Sequence, residues 1–256
     1  GVGVYSGGTM EVDKVDTICE VLNDFKRIMA EYGVKEYRAC TTSVFREMKN
    51  PLIIIEQIFR RTGIHVEVLS NAEQHFLGYK SIAAIENGFK KMIQKGTAIL
   101  DVGGGNLQIS LFDKDALVTT QSLKMGSVRI RQLEKTNTNY AQLVEEFIRN
   151  DLTGFKRLYL KDREIKNLIL MGDFLTETIF REERQDNIIT WAEFEKRYEN
   201  TVYKTETSLS EEMDIDPEYA ALIVPTMVIC KDFMDLFNAE ALWMPGVSLL
   251  DGIAYD

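Results

Sequence analysis

The stretch from Ile99 to Leu111 constrains the fold more than any other part of the chain. It begins with apolar strand residues that carry one acid, Asp101, continues through three glycines, Gly103–Gly105, and ends in a strand that alternates apolar and polar residues. Because glycine lacks a Cβ atom, its backbone can adopt positive φ and let an anion approach the amide N–H groups. An acid at the end of the first strand can hold a divalent cation that shares the oxygens of a bound phosphate. We therefore predict a phosphate-binding β-hairpin; the alternative is a structural hairpin with a glycine-rich turn.

Composition is typical of a globular protein and limits the partners. The chain has 256 residues, 45% hydrophobic and 27% charged, enough for one large core or two ordinary ones. Forty acidic and thirty basic residues give a formal charge of −10, which disfavours nucleic acid as a partner. No apolar run approaches the roughly 20 residues of a membrane span, and no signal peptide is recognised, so no membrane partner is expected. Cys19, Cys40 and Cys230 form no metal-binding pattern, which predicts reduced thiols in a cytoplasmic protein.

Helical and strand patterns alternate along the chain, which predicts an α/β protein. Residues 1–8 resemble a loop, and apolar residues at helical spacing predict an amphipathic helix over residues 11–32. A single long apolar helix is predicted from Pro217 to Phe237, as core or as a dimer interface. The basic connector Lys90–Gly96, which precedes the hairpin, is the best candidate for a domain boundary. It predicts a first domain over residues 1–93 and a second over residues 94–256, whose last helix can return to the first.

Five segments carry a resemblance to one known family and occur in that family's order: Thr41–Asn50, Val66–Ile82, Asp101–Gln108, Leu123–Ile130 and Gly246–Gly252. The first three are similar to A-T-S-A-x-R-E-A-x-N, E-V-I-S-G-x-E-E-A and D-I-G-G-G-S-T-E. The last two match L-x-x-G-x-V-R-L and G-V-S-L-R-E-G. By these motifs the chain resembles the exopolyphosphatase / guanosine pentaphosphate phosphohydrolase (Ppx/GppA) family.

The resemblance implies an actin-like, ribonuclease-H-like fold of two α/β domains around a cleft. The first phosphate loop of that fold, of the type D-I-G-S-N-S, has no counterpart in this sequence. The implied reaction is the release of terminal phosphate from inorganic polyphosphate or guanosine pentaphosphate by water, with Mg²⁺ as cofactor. A homodimer is also compatible with the resemblance.

The resemblance assigns a role to each motif residue. The turn Gly103, Gly104, Gly105 and Asn106 would bind phosphate, together with Ser43 and the planar guanidinium of Arg46. That guanidinium would also act in catalysis; its alternative is a surface salt bridge with Glu47 or Glu36. Asp101 and Gln108 would occupy the metal-binding positions, and Gln74 and Glu73 those of the catalytic carboxylates.

Two of these positions depart from the family pattern, because the carboxylate expected at each is an amide, Gln74 and Gln108. An amide takes up no proton at neutral pH, although it can orient an attacking water. A general base contributes about 10²- to 10⁴-fold to a rate, so its loss predicts slow hydrolysis. Glu73 points about 100° away from its neighbour on a helix and is a poor substitute. The alternatives are a weakened enzyme that binds polyphosphate or guanosine polyphosphates, and an actin-like phosphotransferase that uses the degenerate Met171–Gly172–Asp173 motif.

The remaining polar and aromatic residues are predicted to be structural. His65 and His75 lack partners at a convincing catalytic spacing, so both are expected at the surface or at a helix cap. Trp191 and Trp243 are expected to pack in the interior, and the run Arg181–Arg184 to be a solvated helix end.

Overall fold

A computed structural model describes residues 2–85, 88–136, 140–172, 174–180 and 187–256. The chain packs as two compact units, Gly1–Gln74 and His75–Asp256. This division by packing falls before the predicted domain boundary at residue 93, which stays a prediction.

The first unit is a small α/β assembly. Its elements are α1 (Val2–Gly7), α2 (Val12–Glu31), β1 (Ala39–Thr41), α3 (Ser43–Glu47), α4 (Pro51–Thr62), β2 (Val66–Val68) and the start of α5 (Asn71–Ala83). β1 and β2 pair in parallel, with Ala39 opposite Val66. The core beneath them includes Val15, Cys19 and Ile58 from the two long helices. The other apolar side of α2 stays at the surface, with Phe25 and Ile28 exposed.

Helix α1 is a difference from the sequence prediction, which had a loop over residues 1–8. Val4 is buried in the core of the first unit, and the Tyr5 hydroxyl lies 2.9 Å from Ser43 Oγ. A helix of six residues is not stable alone, so these tertiary contacts stabilise it.

The second unit is built on one mixed sheet. Its strands are β3 (Thr97–Val102), β4 (Leu107–Asp113), β5 (Ala116–Leu123), β6 (Asn167–Met171), β7 (Ile188–Thr190) and β8 (Ala241–Trp243). Its helices are the remainder of α5, α6 (Gly88–Met92), α7 (Ser127–Thr136), α8 (Tyr140–Tyr159), α9 (Phe174–Glu177), α10 (Trp191–Val202), α11 (Glu206–Met213), α12 (Pro217–Ala220), α13 (Ile223–Phe237) and α14 (Leu249–Ala254).

The strand order of this sheet is β5-β4-β3-β6-β8-β7. β3, β4 and β5 are antiparallel neighbours, whereas β6 pairs in parallel with both β3 and β8. Three antiparallel strands followed by two parallel ones give the ribonuclease-H-like order that the resemblance implied. β5 lies at one end of the sheet and carries no charged residue.

The two faces of the sheet pack against different helices, as the alternation along each strand requires. On one face Leu100, Leu107 and Ile109 join the large core that contains α13. On the other face Ile99 and Phe112 pack with residues of α5 and α6. The polar residues near the glycine turn share this second face.

The predicted single helix from Pro217 to Phe237 is wrong, because α12 ends at Ala220 and α13 begins at Ile223. Pro225 has no N–H to donate and is therefore tolerated in the first turn of a new helix but not in the middle of a long one. Met227, Cys230 and Phe233 of α13 are buried, so the prediction that this segment forms core is confirmed.

Candidate functional site

The glycine turn between β3 and β4 is held by its carbonyl oxygens. The amides of Ser127 and Val128, at the start of α7, donate to the carbonyls of Gly103 and Gly104, each at 3.0 Å. Arg129 Nε donates to the Gly105 carbonyl at 2.5 Å. Among the residues that the structure describes, the amides of Gly104 and Gly105 have no hydrogen-bond acceptor. The turn therefore directs its carbonyls into the protein. Gly104 is half-buried and Gly105 is buried, so the Gly104 amide is the one left for an acceptor from outside the chain.

The turn does not use the positive φ that was predicted for its glycines, and the glycine required by packing is Gly126, which lies against the turn. The described glycines with positive φ are Gly8, Gly33, Gly63, Gly172 and Gly246, so none belongs to the turn. The constraint is close approach: a Cβ atom on Gly126 would lie less than 3.0 Å from carbonyl oxygens of the turn. The Gly103 amide also donates to the Asn106 carbonyl at 2.9 Å, so it is not available to a ligand.

Asp101 and Gln108 lie opposite each other on β3 and β4. The Gln108 side chain is 3% exposed, and its Nε2 is buried with no hydrogen-bond partner in the described part of the chain. A buried donor without an acceptor costs about 1–3 kcal/mol. The neighbouring Asn106 differs, because its Nδ2 donates to Ser122 Oγ at 2.8 Å.

This donor set offers limited support for Mg²⁺. No group of three or more His, Cys, Asp or Glu side chains that could hold a metal ion occurs among the described residues. Mg²⁺ is commonly held by one or two carboxylates together with substrate phosphates, so Asp101 alone fits that mode. Gln108 can contribute only its neutral carbonyl oxygen. The metal-binding roles of both residues stay predictions.

In the first unit, Arg46 and Gln74 form one hydrogen-bonded group. Arg46 Nη1 donates to the Leu69 carbonyl at 2.6 Å, and Nη2 donates to Gln74 Oε1 at 2.9 Å. Gln74 is 6% exposed, so its amide is buried and well partnered. The guanidinium thus lies against a carbonyl and an amide oxygen, and the predicted alternative, a salt bridge with Glu47 or Glu36, stays open.

Glu73 lies in the first turn of α5, where it caps the start of the helix together with Ser70. The Ser70 amide donates to Glu73 Oε2 at 2.8 Å, and the Glu73 amide donates to Ser70 Oγ at 3.2 Å, which completes a capping box. Hydrogen bonds from the Ser70 hydroxyl and backbone lower the pKa of Glu73 below its ordinary value of 4.5. A carboxylate stabilised in this way is a weaker base.

Ser43 is buried at the start of α3, where its hydroxyl contacts the Tyr5 hydroxyl. Its predicted phosphate contact stays a prediction.

His75 is the polar residue that sequence reasoning missed. It is half-buried, and its Nδ1 lies 3.4 Å from Ser110 Oγ, which contacts Thr120 Oγ1 at 3.0 Å. The hairpin register places Ser110 opposite Ile99 and Gln108 opposite Asp101. That register is the signal that would have put Ser110 on the same face of the sheet as Gln108. His65, in contrast, is exposed, and its ring lies tilted against that of Phe59 with ring centroids 4.3 Å apart.

The structural predictions for the other singled-out residues have mixed outcomes. Trp243 is buried, as predicted. Cys19 and Cys230 are buried free thiols, and burial raises the pKa of Cys230 to about 12. Cys40 is only half-buried. Asp173 and the run Arg181–Arg184 lie outside the described residues.

No helix in the described part of the chain is both long and apolar enough to cross a membrane.

The fold and the glycine turn define an actin-like α/β protein. Residues 2–256 match the model of the Ppx/GppA phosphatase family, so the chain belongs to that family. The resemblance inferred from five motifs is therefore confirmed.

Individual relatives are distant. The chain is 24% identical over 177 residues to a bifunctional 3-dehydroquinate synthase/phosphatase of Fusobacterium nucleatum, a match that covers 68% of this chain and 25% of the relative. It is 23% identical to a guanosine-5'-triphosphate,3'-diphosphate pyrophosphatase of Vibrio atlanticus, over 99% of this chain and 51% of the relative. The chain thus spans about a quarter to a half of the curated relatives it matches.

Solved structures confirm the fold class. An exopolyphosphatase from Cytophaga hutchinsonii superimposes with a TM-score of 0.84 at 18% identity, over 98% of this chain and 84% of that one. At this identity the likeness shows the fold alone.

Proposed function

We propose that this chain is a slow phosphohydrolase that releases terminal phosphate from inorganic polyphosphate or guanosine pentaphosphate. One observation carries the proposal: the amide of half-buried Gly104 has no acceptor among the described residues, in a turn whose carbonyls are all held by the protein. Membership of a phosphatase family supports the same reaction class. Two distant relatives are named an exopolyphosphatase and a guanosine-5'-triphosphate,3'-diphosphate pyrophosphatase, which supports these two substrates as the candidates.

The residues present suit phosphoryl transfer, which depends mainly on positioning and charge neutralisation because its transition state is loose. The Gly104 amide of the turn would hold a phosphate oxygen. In the first unit, the bonds of Arg46 to Leu69 and Gln74 fix its guanidinium plane, and a planar guanidinium suits phosphate oxygens. Asp101 would hold Mg²⁺, which when bound neutralises charge on the phosphate oxygens.

A second candidate is a binding protein that retains the phosphate site without turnover. The state of Gln74 favours it, since the amide oxygen accepts a hydrogen bond from Arg46 and cannot accept a proton from water. An actin-like phosphotransferase is a third alternative, carried by the fold alone. A cytoplasmic location and a homodimer stay predictions.

The test is phosphate release from tripolyphosphate without any acceptor, compared between the parent and the double variant Gln74→Glu, Gln108→Glu. The double variant restores both carboxylates, so we expect it to release phosphate faster. The expected gain is about 10²-fold, the lower end of what a general base contributes. A double variant no faster than the parent would contradict the assigned roles. Release without an acceptor separates hydrolysis from phosphotransfer.

Ligand binding is tested separately by thermal unfolding of the parent. Polyphosphate or guanosine tetraphosphate at about 100 times its Kd should stabilise the fold by about 2.7 kcal/mol. Protection without phosphate release would favour the binding protein, and no shift with either ligand would remove both candidates.

A further inference from the structure

The second unit has a basic surface at the end of its sheet opposite the glycine turn. Three segments meet there: the connector between α6 and β3, the turn between β4 and β5, and the loop between α8 and β6. The Asp115 amide of the β4–β5 turn donates to the Ile93 carbonyl of the connector at 3.0 Å. The Lys166 amide of the α8–β6 loop donates to the Gly96 carbonyl at 2.7 Å. These backbone bonds hold the three segments together as one surface.

Unpaired positive charge is concentrated on this surface. Six exposed basic side chains lie on the three segments or on the helical residues next to them, and they form no ion pair with the described residues: Lys90, Lys91, Lys95, Lys114, Arg157 and Lys161. We call these six residues the basic end.

Acidic side chains neutralise only part of this charge. Two further bases are already paired, since Arg163 Nε lies 3.5 Å from Asp113 Oδ2 and Lys166 Nζ lies 2.5 Å from Glu164 Oε2. The same segments contain two other acids, Asp115 and Asp162. Because the whole chain carries a net charge of −10, a local excess of positive charge is the feature that lets it attract a polyanion.

The exposed residues of this surface favour an inorganic polyanion over a nucleic acid. Proteins that bind single-stranded nucleic acid combine positive charge with aromatic side chains on which the bases stack. Within residues 88–96, 113–116 and 156–166, all of which the structure describes, the aromatic residues are Phe89 and Tyr159, and neither is exposed. A polyphosphate chain carries charge and no bases, so it needs no stacking platform.

We propose that the basic end is a second contact for the substrate, and that this substrate is long-chain polyphosphate, not guanosine pentaphosphate. The inference rests on the proposed function. β3 begins beside the basic end at Thr97 and ends at Val102 before the glycine turn, so its six residues separate the two contacts by roughly 20 Å, at about 3.3 Å per residue. Tripolyphosphate and guanosine pentaphosphate are too short to reach both contacts. A long chain can bind at both, and the second contact then adds to its affinity.

The first measurement is the binding of an end-labelled long-chain polyphosphate by fluorescence anisotropy, repeated as salt is added. The basic-end variant Lys91→Gln, Lys95→Gln, Lys114→Gln should bind the chain about tenfold more weakly than the parent at low salt, since each exposed charge pair contributes a few-fold. The affinity of the variant should also depend less steeply on salt, because fewer counterions are released from the phosphate chain.

A matched control removes the same charge elsewhere. The variant Lys14→Gln, Lys35→Gln, Lys196→Gln changes three exposed lysines that form no ion pair with the described residues, and it should bind the long chain as the parent does. A basic-end variant that binds as tightly as this control overturns the inference. A single-stranded RNA of matched charge that binds the parent as tightly as polyphosphate, and is weakened by the same variant, also overturns it, because the surface would then be a general polyanion site.

The second measurement compares phosphate release from long-chain polyphosphate, tripolyphosphate and guanosine pentaphosphate. The parent should have a KM for the long chain about tenfold below that for tripolyphosphate, and the basic-end variant should lose this advantage. Its rates with the two short substrates should stay unchanged. Equal KM values for the long and short chains in the parent overturn the inference and leave the proposed function intact. A parent that releases phosphate from none of the three contradicts the proposed function, while the binding measurement still decides whether the basic end holds the long chain.

Discussion

Two regions of the molecule carry the same kind of substitution with different physical results. Gln74 and Gln108 both stand where the family pattern has a carboxylate, and both are buried. The Gln74 oxygen accepts a hydrogen bond from Arg46, whereas the Gln108 nitrogen has no acceptor in the described part of the chain. An amide is well tolerated where its neighbour is a donor, because its oxygen replaces that of the carboxylate. Beside Asp101, the amide of Gln108 leaves its nitrogen without an acceptor. The sequence alone does not distinguish these two glutamines.

The largest expected change in stability comes from Gly126, which packs against the glycine turn before Gln108. Gly126→Ala would push a Cβ atom against carbonyl oxygens of Gly103 and Gly104, so we expect a loss of about 3 kcal/mol in the free energy of unfolding. Urea denaturation measures it. The matched control is Gly154→Ala in α8, where nothing lies within 4 Å of the added atom. That change should be neutral or stabilising by about 0.5–1 kcal/mol. Equal effects would show that the turn is not closely packed.

The next effect tests the Gln108 region itself. Gln108→Glu places a second carboxylate opposite Asp101 in a buried position. In EDTA it should destabilise the fold by about 2 kcal/mol, because like charges repel and burial disfavours ionisation. Added Mg²⁺ should recover most of that loss, since two carboxylates can share the cation. Thermal unfolding with EDTA and with Mg²⁺ measures both changes, and a loss that Mg²⁺ does not reverse would argue against a cation at this position.

The same change in the other region should have the opposite sign. Gln74→Glu gives the Arg46 guanidinium a charged acceptor, so we expect stabilisation by about 1 kcal/mol at neutral pH. The guanidinium lowers the pKa of the new carboxyl, so this gain is present above the unfolded value near 4.3 and disappears as the pH falls through the folded value. Mg²⁺ should have no influence. Destabilisation at pH 7 would mean that burial of the carboxylate outweighs its pairing.

The smallest effect concerns Glu73, which is solvent-exposed. Its folded pKa is below 4.5, so its contribution to stability is complete above that value and is lost as the pH falls through the lowered one. Glu73→Gln should therefore lower the melting temperature slightly at pH 7, and parent and variant should converge in acid. A difference that persists unchanged at low pH would contradict the capping role.

Local patterns predicted much of the fold. The helix α2 and the hairpin of β3 and β4 follow from side-chain periodicity and turn residues. The sequence patterns did not predict α1, α6, α7, α11 or β7, and they missed the break before α13. At α1 tertiary packing outweighs local preference, and at α13 one proline does. The motif residues were found because the family pattern names them. His75 was dismissed because its partner Ser110 is distant in sequence and is brought close by the sheet.

The edge strand β5 has a consequence for behaviour at high concentration. Natural sheets protect such edges with charges, prolines or bulges. Ala116–Leu123 contains neither charge nor proline, and its protection is a register irregularity where Leu111 pairs with Thr119 and Phe112 with Leu117. Along its outer side, alternate backbone groups have no neighbour within the sheet. A net charge of −10 keeps copies apart at low ionic strength, and salt screens that repulsion. Concentrated, salty or partly heated samples should therefore self-associate strand to strand along this border first.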